Sequence, residues 1–346
     1  MFDTIVIGAG QAGLAVGYYL KQSQQKFLLI DRGSEIGESW KERYDSLILF
    51  TPRQYNLLPG LPLSGDEQGF PTKDEIASYL KKYVETFELP VQLNEEVMLV
   101  TKQGDPFIIH TNLGQYVAKN IIIATGPFHI PHIPVIAKEL SNNVNQLHSS
   151  QYKNNSQLVD GNVLVVGGGN SGAQIATELS SERETYIAVS KKLNYFPLLL
   201  CKRSIFWWFD KLGILNASSD SFLGKLIQRK GDPVFGFDLK KKVKNKRVKV
   251  KEKVIEVEGN QVTFVDGTTL EVRNIIWATG FKIEYPWLYI NGVLGPEGKV
   301  LHRNGVSNIE GLYFIGLPWQ SKRGSALLQG VGDDAKYIVG KINSVH

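Results

Sequence analysis

The feature that most constrains this chain is a glycine pattern that occurs twice, each time straight after a short apolar run. Ile5-Val6-Ile7 leads into Gly8-x-Gly10-x-x-Gly13, and Val163-Leu164-Val165-Val166 leads into Gly167-x-Gly169-x-x-Gly172. An apolar run that stops on glycines and resumes as a helical stretch reads as strand, tight turn and helix, the opening of a βαβ unit. The first glycine permits the turn, the second lets the backbone approach a pyrophosphate, and the third lets helix and strand pack closely. The helix N-terminus then presents unpaired N–H groups and the positive end of a dipole to an anion. Three glycines at set positions arise by chance roughly 0.3 times in a chain with 34 glycines among 346 residues, so the bare pattern is weak. The preceding strand is what makes it specific.

The two units end differently. The second strand of the first unit, 27–30, closes on Asp31, a carboxylate placed to accept hydrogen bonds from a ribose. The corresponding strand of the second unit, 185–189, closes on Ser190-Lys191-Lys192. A hydroxyl and two cations suit a ribose 2′-phosphate, so the second unit reads as an NADPH site rather than an NADH site. Lysines that merely face solvent are the plainer alternative. A second pair of matching segments, 121–126 and 275–280, ends in Ala124-Thr125-Gly126 and Ala278-Thr279-Gly280. The expected fold is α/β, with two Rossmann-like dinucleotide-binding domains, the second inserted in the first, and a helical, aromatic insertion. Residues 1–158 and 281–346 form the first domain, and 159–280 the second, with the insertion at 195–237.

Composition narrows the function classes. Apolar residues make up 42% and charged ones 21%, as in ordinary globular chains. The only cysteine is Cys201, which rules out an internal disulfide, a CxxC redox pair or a cysteine-built zinc site. The six histidines lack HExxH-type spacing, and Pro131 separates the near neighbours His129 and His132, so no metal is expected. The net charge of +5 is local: residues 238–253 hold nine Lys/Arg and two Asp/Glu, leaving −2 for the rest. That run reads first as an edge strand guarded by lysines and second as an attraction to an anionic partner or membrane. Nothing supports nucleic-acid binding. The first strand leaves no room for a basic leader, and the greasiest later stretch, 196–209, is short and carries Lys202 and Arg203. No transmembrane segment and a cytoplasmic location are expected. The aromatics of 195–237 (Tyr195, Phe196, Phe206, Trp207, Trp208, Phe209, Phe222, Phe235 and Phe237) suggest a wall over an apolar substrate site. A subdomain core, or a membrane or homodimer patch, stays open for this segment.

Over essentially its whole length the chain resembles bacterial flavin-containing monooxygenases, among them small flavoproteins named for association with heavy-metal cation efflux. The resemblance rests on GAGQAG at 8–13, Gly37-x-x-Trp40-x-x-Arg43-Tyr44 and Leu49-Phe50-Thr51-Pro52-Arg53. It also uses Pro71-Thr72-Lys73, GGGNSG at 167–172 and Ala278-Thr279-Gly280-Phe281. It implies FAD in the first site, held by Gly8, Gly10, Gln11, Ala12, Gly13, Asp31, Arg32, Ala124, Thr125, Gly126 and Gly316. Ser39, Trp40 and Thr51 would lie toward the flavin and Val97 near adenine. NADPH would occupy the second site, on Gly167, Gly169, Asn170, Ser171, Gly172, Ser190, Lys191, Lys192, Ala278, Thr279 and Gly280. The implied reaction inserts one atom of O2 into a small sulfur, nitrogen or ketone substrate through a flavin C4a-(hydro)peroxide. Trp40, Thr51, Arg53 and Ser325 are the nominees for its contact shell, with a C-terminal helix 325–342 pointing its N-terminus at the flavin. The FxGxxxHxxxY fingerprint keeps His148 and Tyr152 but has Asn142 and Val144 at its first two positions, and no Asn stands within 50–53. A ferredoxin or flavodoxin–NADP reductase built like thioredoxin reductase but lacking the redox disulfide is the alternative, and the basic run would suit an acidic ferredoxin.

Overall fold

A computed structural model describes residues 1–102 and 104–344. Two sheets form its framework, one around each glycine unit, the first mixed and the second parallel. In the first, Phe2–Ile7 is central, flanked in parallel by Phe27–Ile30 and by Gln115–Ile123. Gln115–Ile123 is shared between two partners on its other edge. Its first half pairs antiparallel with Phe107–Thr111 and its second half parallel with Leu312–Phe314. The chain that returns after residue 280 therefore completes the first sheet.

Strands covered on both faces read as continuous apolar runs, and here alternate residues divide between two cores. Val6, Leu29 and Ile122 face the helices Gln11–Gln22 and Leu328–Asn343, while Ile5, Ile7, Ile121 and Ile123 face Phe107, Phe314 and Leu288. Each such side chain contributes about 1.5–3 kcal/mol when fully buried. The second sheet follows the same rule: Val163, Val165 and Ile276 face one core, and Leu164, Ile275 and Trp277 the other.

The strand order of the second sheet is Val248–Lys251, Thr185–Ala188, Val163–Val166, Asn274–Trp277, Asn145–His148, all parallel. One feature differs from the sequence reading. Asn145–His148 belongs to this sheet, so the second unit recruits chain from before residue 159. This strand shows weak alternation and carries Asn and Gln, so hydrophobic periodicity does not reveal it. Val248–Lys251 is an edge strand of the parallel sheet, as its alternating lysines suggest, and an antiparallel meander follows over Val254–Glu258, Gln261–Phe264 and Thr269–Glu271. Most of the lysines before it sit on the helix Asp238–Lys244.

The 195–237 insertion forms two short helices, Ile205–Lys211 and Phe222–Lys230, and small strand pairs. Its own core of Ile205, Phe206, Leu215 and Phe235 packs on Phe50 and Tyr55 of the first unit. No helix among the described residues is long and apolar enough to cross a membrane.

Candidate functional site: two matched cradles

The two glycine loops have the same geometry. Gly8 and Gly167 take positive φ of 105° and 124°, the conformation that favours glycine at the turn. Their N–H groups donate to Ile30 (2.8 Å) and Ala188 (2.9 Å), the ends of the neighbouring strands. A Cβ on Gly8 would lie 2.7 Å from the Ala124 carbonyl oxygen, and one on Gly167 would lie 2.2 Å from that of Ala278. The two Ala-Thr-Gly closures thus lean against the first glycine of each loop. Ala124 and Ala278 donate in turn to Ile7 and Val166, both at 2.8 Å.

Later in each loop the third glycine is a packing residue. A Cβ on Gly13 would meet the Gly8 carbonyl oxygen at 1.9 Å, and one on Gly172 would meet that of Gly167 at 2.1 Å. The middle glycines, Gly10 and Gly169, face open space with no atom within 4 Å of the Cβ position. They N-cap the helices Gln11–Gln22 and Asn170–Leu179 with extended backbone and no side-chain cap. Each cradle therefore offers uncapped helix N–H groups above an open glycine, which fits a pyrophosphate. Beside the first, the Thr125 hydroxyl is buried without a partner among the described residues, an orphan that a bound group in this cradle could satisfy.

The far ends of the two units differ in their side chains. Asp31 is fixed by two backbone donors, Ala9 N–H to Oδ2 (2.6 Å) and Gly33 N–H to Oδ1 (2.7 Å). Its own carbonyl accepts from Glu95, two residues before Val97, which is buried in the core that also holds Ile7 and Ile30. Arg32 is exposed and lies 3.9 Å from Glu96. In the second unit Ser190, Lys191 and Lys192 are all exposed beyond the strand end.

The nominees for the reaction site separate into two groups. Trp40 leans on the first loop, its Nε1–H directed at the Gln11 side-chain oxygen at 3.4 Å, while Ser39 is exposed next to it. Gly316, at φ 81°, brings the strand-end loop against Ala12. Thr51 is buried and donates to Asn56 Oδ1 (2.8 Å), and the Asn56 amide returns to the Thr51 carbonyl (2.6 Å). Asn56 was not singled out from the sequence; it lies just past the 50–53 segment and is buried. By contrast, Arg53 is paired with Glu75, which caps the helix Lys73–Phe87, and the loop at Gly65 and Gly69 covers it. Ser325 is wholly buried, accepts from the Ser321 and Lys322 amides (3.1 Å each), and sits in a 3-10 turn ahead of the helix that starts at Leu328. Both side chains are engaged in holding local structure.

Residues of the first unit reach the second cradle. Tyr44 donates from its hydroxyl to Gln174 Oε1 (2.9 Å) on the second cradle's helix, and also bonds Ser171; burial pushes its phenol well up. Asn170 ties the insertion down, accepting from Phe235 N–H (2.9 Å) and donating to the Pro233 carbonyl (3.2 Å). His148 is fully buried and donates from Nε2 to the Gly280 carbonyl (2.9 Å), while Ser150 N–H donates to Nδ1 (3.2 Å). That network holds the neutral tautomer. Burial lowers its pKa, the Gly280 bond opposes, and Arg43 reinforces the lowering. Arg43 stacks over Phe281, 5.3 Å from the ring centre. Thr279 donates to the His132 carbonyl, and Phe281–Lys282 pairs with Ile130–Pro131 where the chain crosses between the units.

Twin dinucleotide cradles joined by such contacts define a nucleotide-dependent oxidoreductase of two Rossmann-type units. The pyridine nucleotide-disulphide oxidoreductase family matches residues 5–194, over half of the chain. The chain is 64% identical over 343 residues to the uncharacterized oxidoreductase CzcO of Bacillus subtilis (strain 168), covering 99% of each. Among solved structures it is similar to a flavin-containing monooxygenase from Stenotrophomonas maltophilia, with 25% identity, TM-score 0.84 and coverage of 99% and 98%. It shares the fold of the OTEMO complex with FAD and NADP at TM-score 0.71 and 15% identity, over 99% of this chain and 85% of that one. The chain belongs to the flavin-containing monooxygenase family, an FAD- and NADPH-dependent class of oxidoreductase.

Proposed function

We propose that this protein oxygenates a small soft-nucleophile substrate, at sulfur or nitrogen, or a ketone, with FAD in the first cradle and NADPH in the second. One observation carries the reading: two matched cradles bridged by Tyr44 stand in a chain with a single cysteine. With one cysteine the chain offers no internal disulfide as an acceptor for electrons that bound NADPH would supply, and O2 is the acceptor this reading assigns.

Gly10 and the helix N-terminus behind it hold the FAD pyrophosphate, Asp31 the ribose hydroxyls, and Thr125 supplies a further hydroxyl. Gly169 and its helix hold the NADPH pyrophosphate, with Ser190, Lys191 and Lys192 at the 2′-phosphate. When bound, the reduced flavin supplies the oxygen activation, which side chains cannot provide. The chain's share is to orient and to keep water out. Trp40 and the Thr51–Asn56 pair border the flavin side, and Phe50, Tyr55 and the insertion core above them make an apolar wall.

The test is stoichiometry. Purified yellow protein given NADPH, O2 and an aryl methyl thioether should consume NADPH and O2 and form sulfoxide in near-equal amounts. Recovery of all the oxygen as hydrogen peroxide across sulfur, nitrogen and ketone probes, or fast reduction of a ferredoxin with no oxygenated product, overturns the proposal.

A further inference from the structure

The insertion has two faces, and only the inner one is accounted for by packing on Phe50 and Tyr55. On the outer face Phe196 is 40% exposed, Leu199 54%, Leu200 45% and Leu212 67%. These residues form one connected surface. Leu199 and Leu200 pair with Ser204 and Arg203 in a tight hairpin whose tip, Cys201-Lys202, takes positive φ of 50° and 61°. Trp208 pins the helix Ile205–Lys211 to that hairpin by donating from Nε1 to the Leu200 carbonyl (3.0 Å). Arg203 and Lys211 lie 5.6 and 5.8 Å from the Trp207 ring centre. Phe196 touches Phe209 of the same helix, and Lys240 of the basic helix Asp238–Lys244 approaches Tyr195 beside it, 5.9 Å from the ring. Residues 195–253 carry fifteen Lys/Arg and five Asp/Glu, a net +10 on a chain whose total is +5.

We propose that this outer face docks on an anionic lipid bilayer. The centre of a protein–protein interface is depleted of charge, whereas here cations alternate with leucines and indoles at close range. Leucine side chains entering the acyl boundary, indoles at headgroup depth and Lys/Arg on lipid phosphates are the arrangement that interfacial elements use. The excess of positive charge around the patch attracts the same surface over a Debye length.

The experiment is co-sedimentation of the FAD-loaded protein with vesicles of phosphatidylglycerol and phosphatidylcholine mixed one to three, against vesicles of phosphatidylcholine alone. Binding to the anionic vesicles at low salt, weakened roughly tenfold or more by neutral lipid or high salt, supports the proposal. The variant Leu199→Glu/Leu200→Glu should partition roughly tenfold less, with flavin absorbance and NADPH oxidation in solution unchanged. Should that pair disturb the hairpin, Lys202→Glu/Lys211→Glu provides a second reading and should also lower the partition. Wild-type protein that stays in the supernatant at low salt overturns the proposal. So does equal sedimentation of both variants with wild type, or a wild-type dimer in sedimentation velocity that Leu199→Glu/Leu200→Glu splits, which would make the face a self-association surface.

Discussion

At the scale of single residues, the three glycines of each loop have separable jobs, and substitution should separate them. A Cβ at Gly13 or Gly172 meets backbone oxygen at 1.9 or 2.1 Å, so alanine there must displace a helix from its strand. We expect G13A and G172A each to lose about 3 kcal/mol of stability, the upper end of the overpacking range, in denaturant titrations. G10A and G169A, facing open space, should unfold at nearly the wild-type midpoint yet bind FAD or NADP+ more weakly by fluorescence titration. Equal stability losses at all four positions would refute this division. At the ribose end, Lys191→Ala/Lys192→Ala should raise KM for NADPH about tenfold or more, since a charge-assisted contact is worth about 1.5–3 kcal/mol, and leave KM for NADH unchanged. The two loops were legible because glycine spacing is a local signal. Asn56 was not legible: its role depends on a backbone turn that brings it onto Thr51, and nothing in an isolated asparagine announces that.

At the scale of elements, the close of the second sheet depends on a buried neutral histidine. His148 ends the strand Asn145–His148 and bonds Gly280 at the close of the neighbouring strand. Burial lowers its pKa below the ordinary 6.5, and burial lowers those of His129 and His302 as well. Below about pH 6.5 the unfolded chain takes up protons at these positions that the folded chain refuses, so stability falls with acidification. Each histidine contributes at most about 1.4 kcal/mol per pH unit, from the unfolded value down to its folded one. Asp334 acts in the opposite sense: burial raises its pKa, so in the window above 3.8 its contribution is lost as pH rises. Thermal unfolding between pH 7 and pH 5 should therefore show a falling Tm, with a shallower fall in His148→Gln. An identical slope in that variant would remove His148 from the account. The elements themselves were readable where they were apolar and periodic. The strand Asn145–His148 was not, because its place is set by pairing with Asn274–Trp277 and not by its own pattern.

At the scale of the whole molecule, the cradles differ in how much of the chain each one gathers. The second is assembled within 145–280, from strands that lie close in sequence around Val163–Val166. The first draws on both ends: Leu312–Phe314 completes the sheet beside Gln115–Ile123, Gly316 abuts Ala12, and the helix Leu328–Asn343 shares a core with Gln11–Gln22. Sequence repeats showed that there were two units, but the interlocking of the first is a long-range pairing that no local pattern carries. A ligand that binds only the folded state stabilises by about 2.7 kcal/mol at one hundred times its Kd, whichever cradle it fills. What differs is which part of the molecule feels it. FAD should raise protection against hydrogen exchange in 2–31, 97–126 and 312–343 together, since these segments meet around one cradle. NADP+ added to the FAD-loaded protein should protect 163–191 and 274–280 and leave the C-terminal helix nearly unchanged. Exchange measured on apo, FAD-loaded and doubly loaded protein checks this. If FAD protects only the N-terminal segment, the first cradle is not the joint product of both chain ends, and the nested assembly argued from its sheet does not govern the molecule's stability.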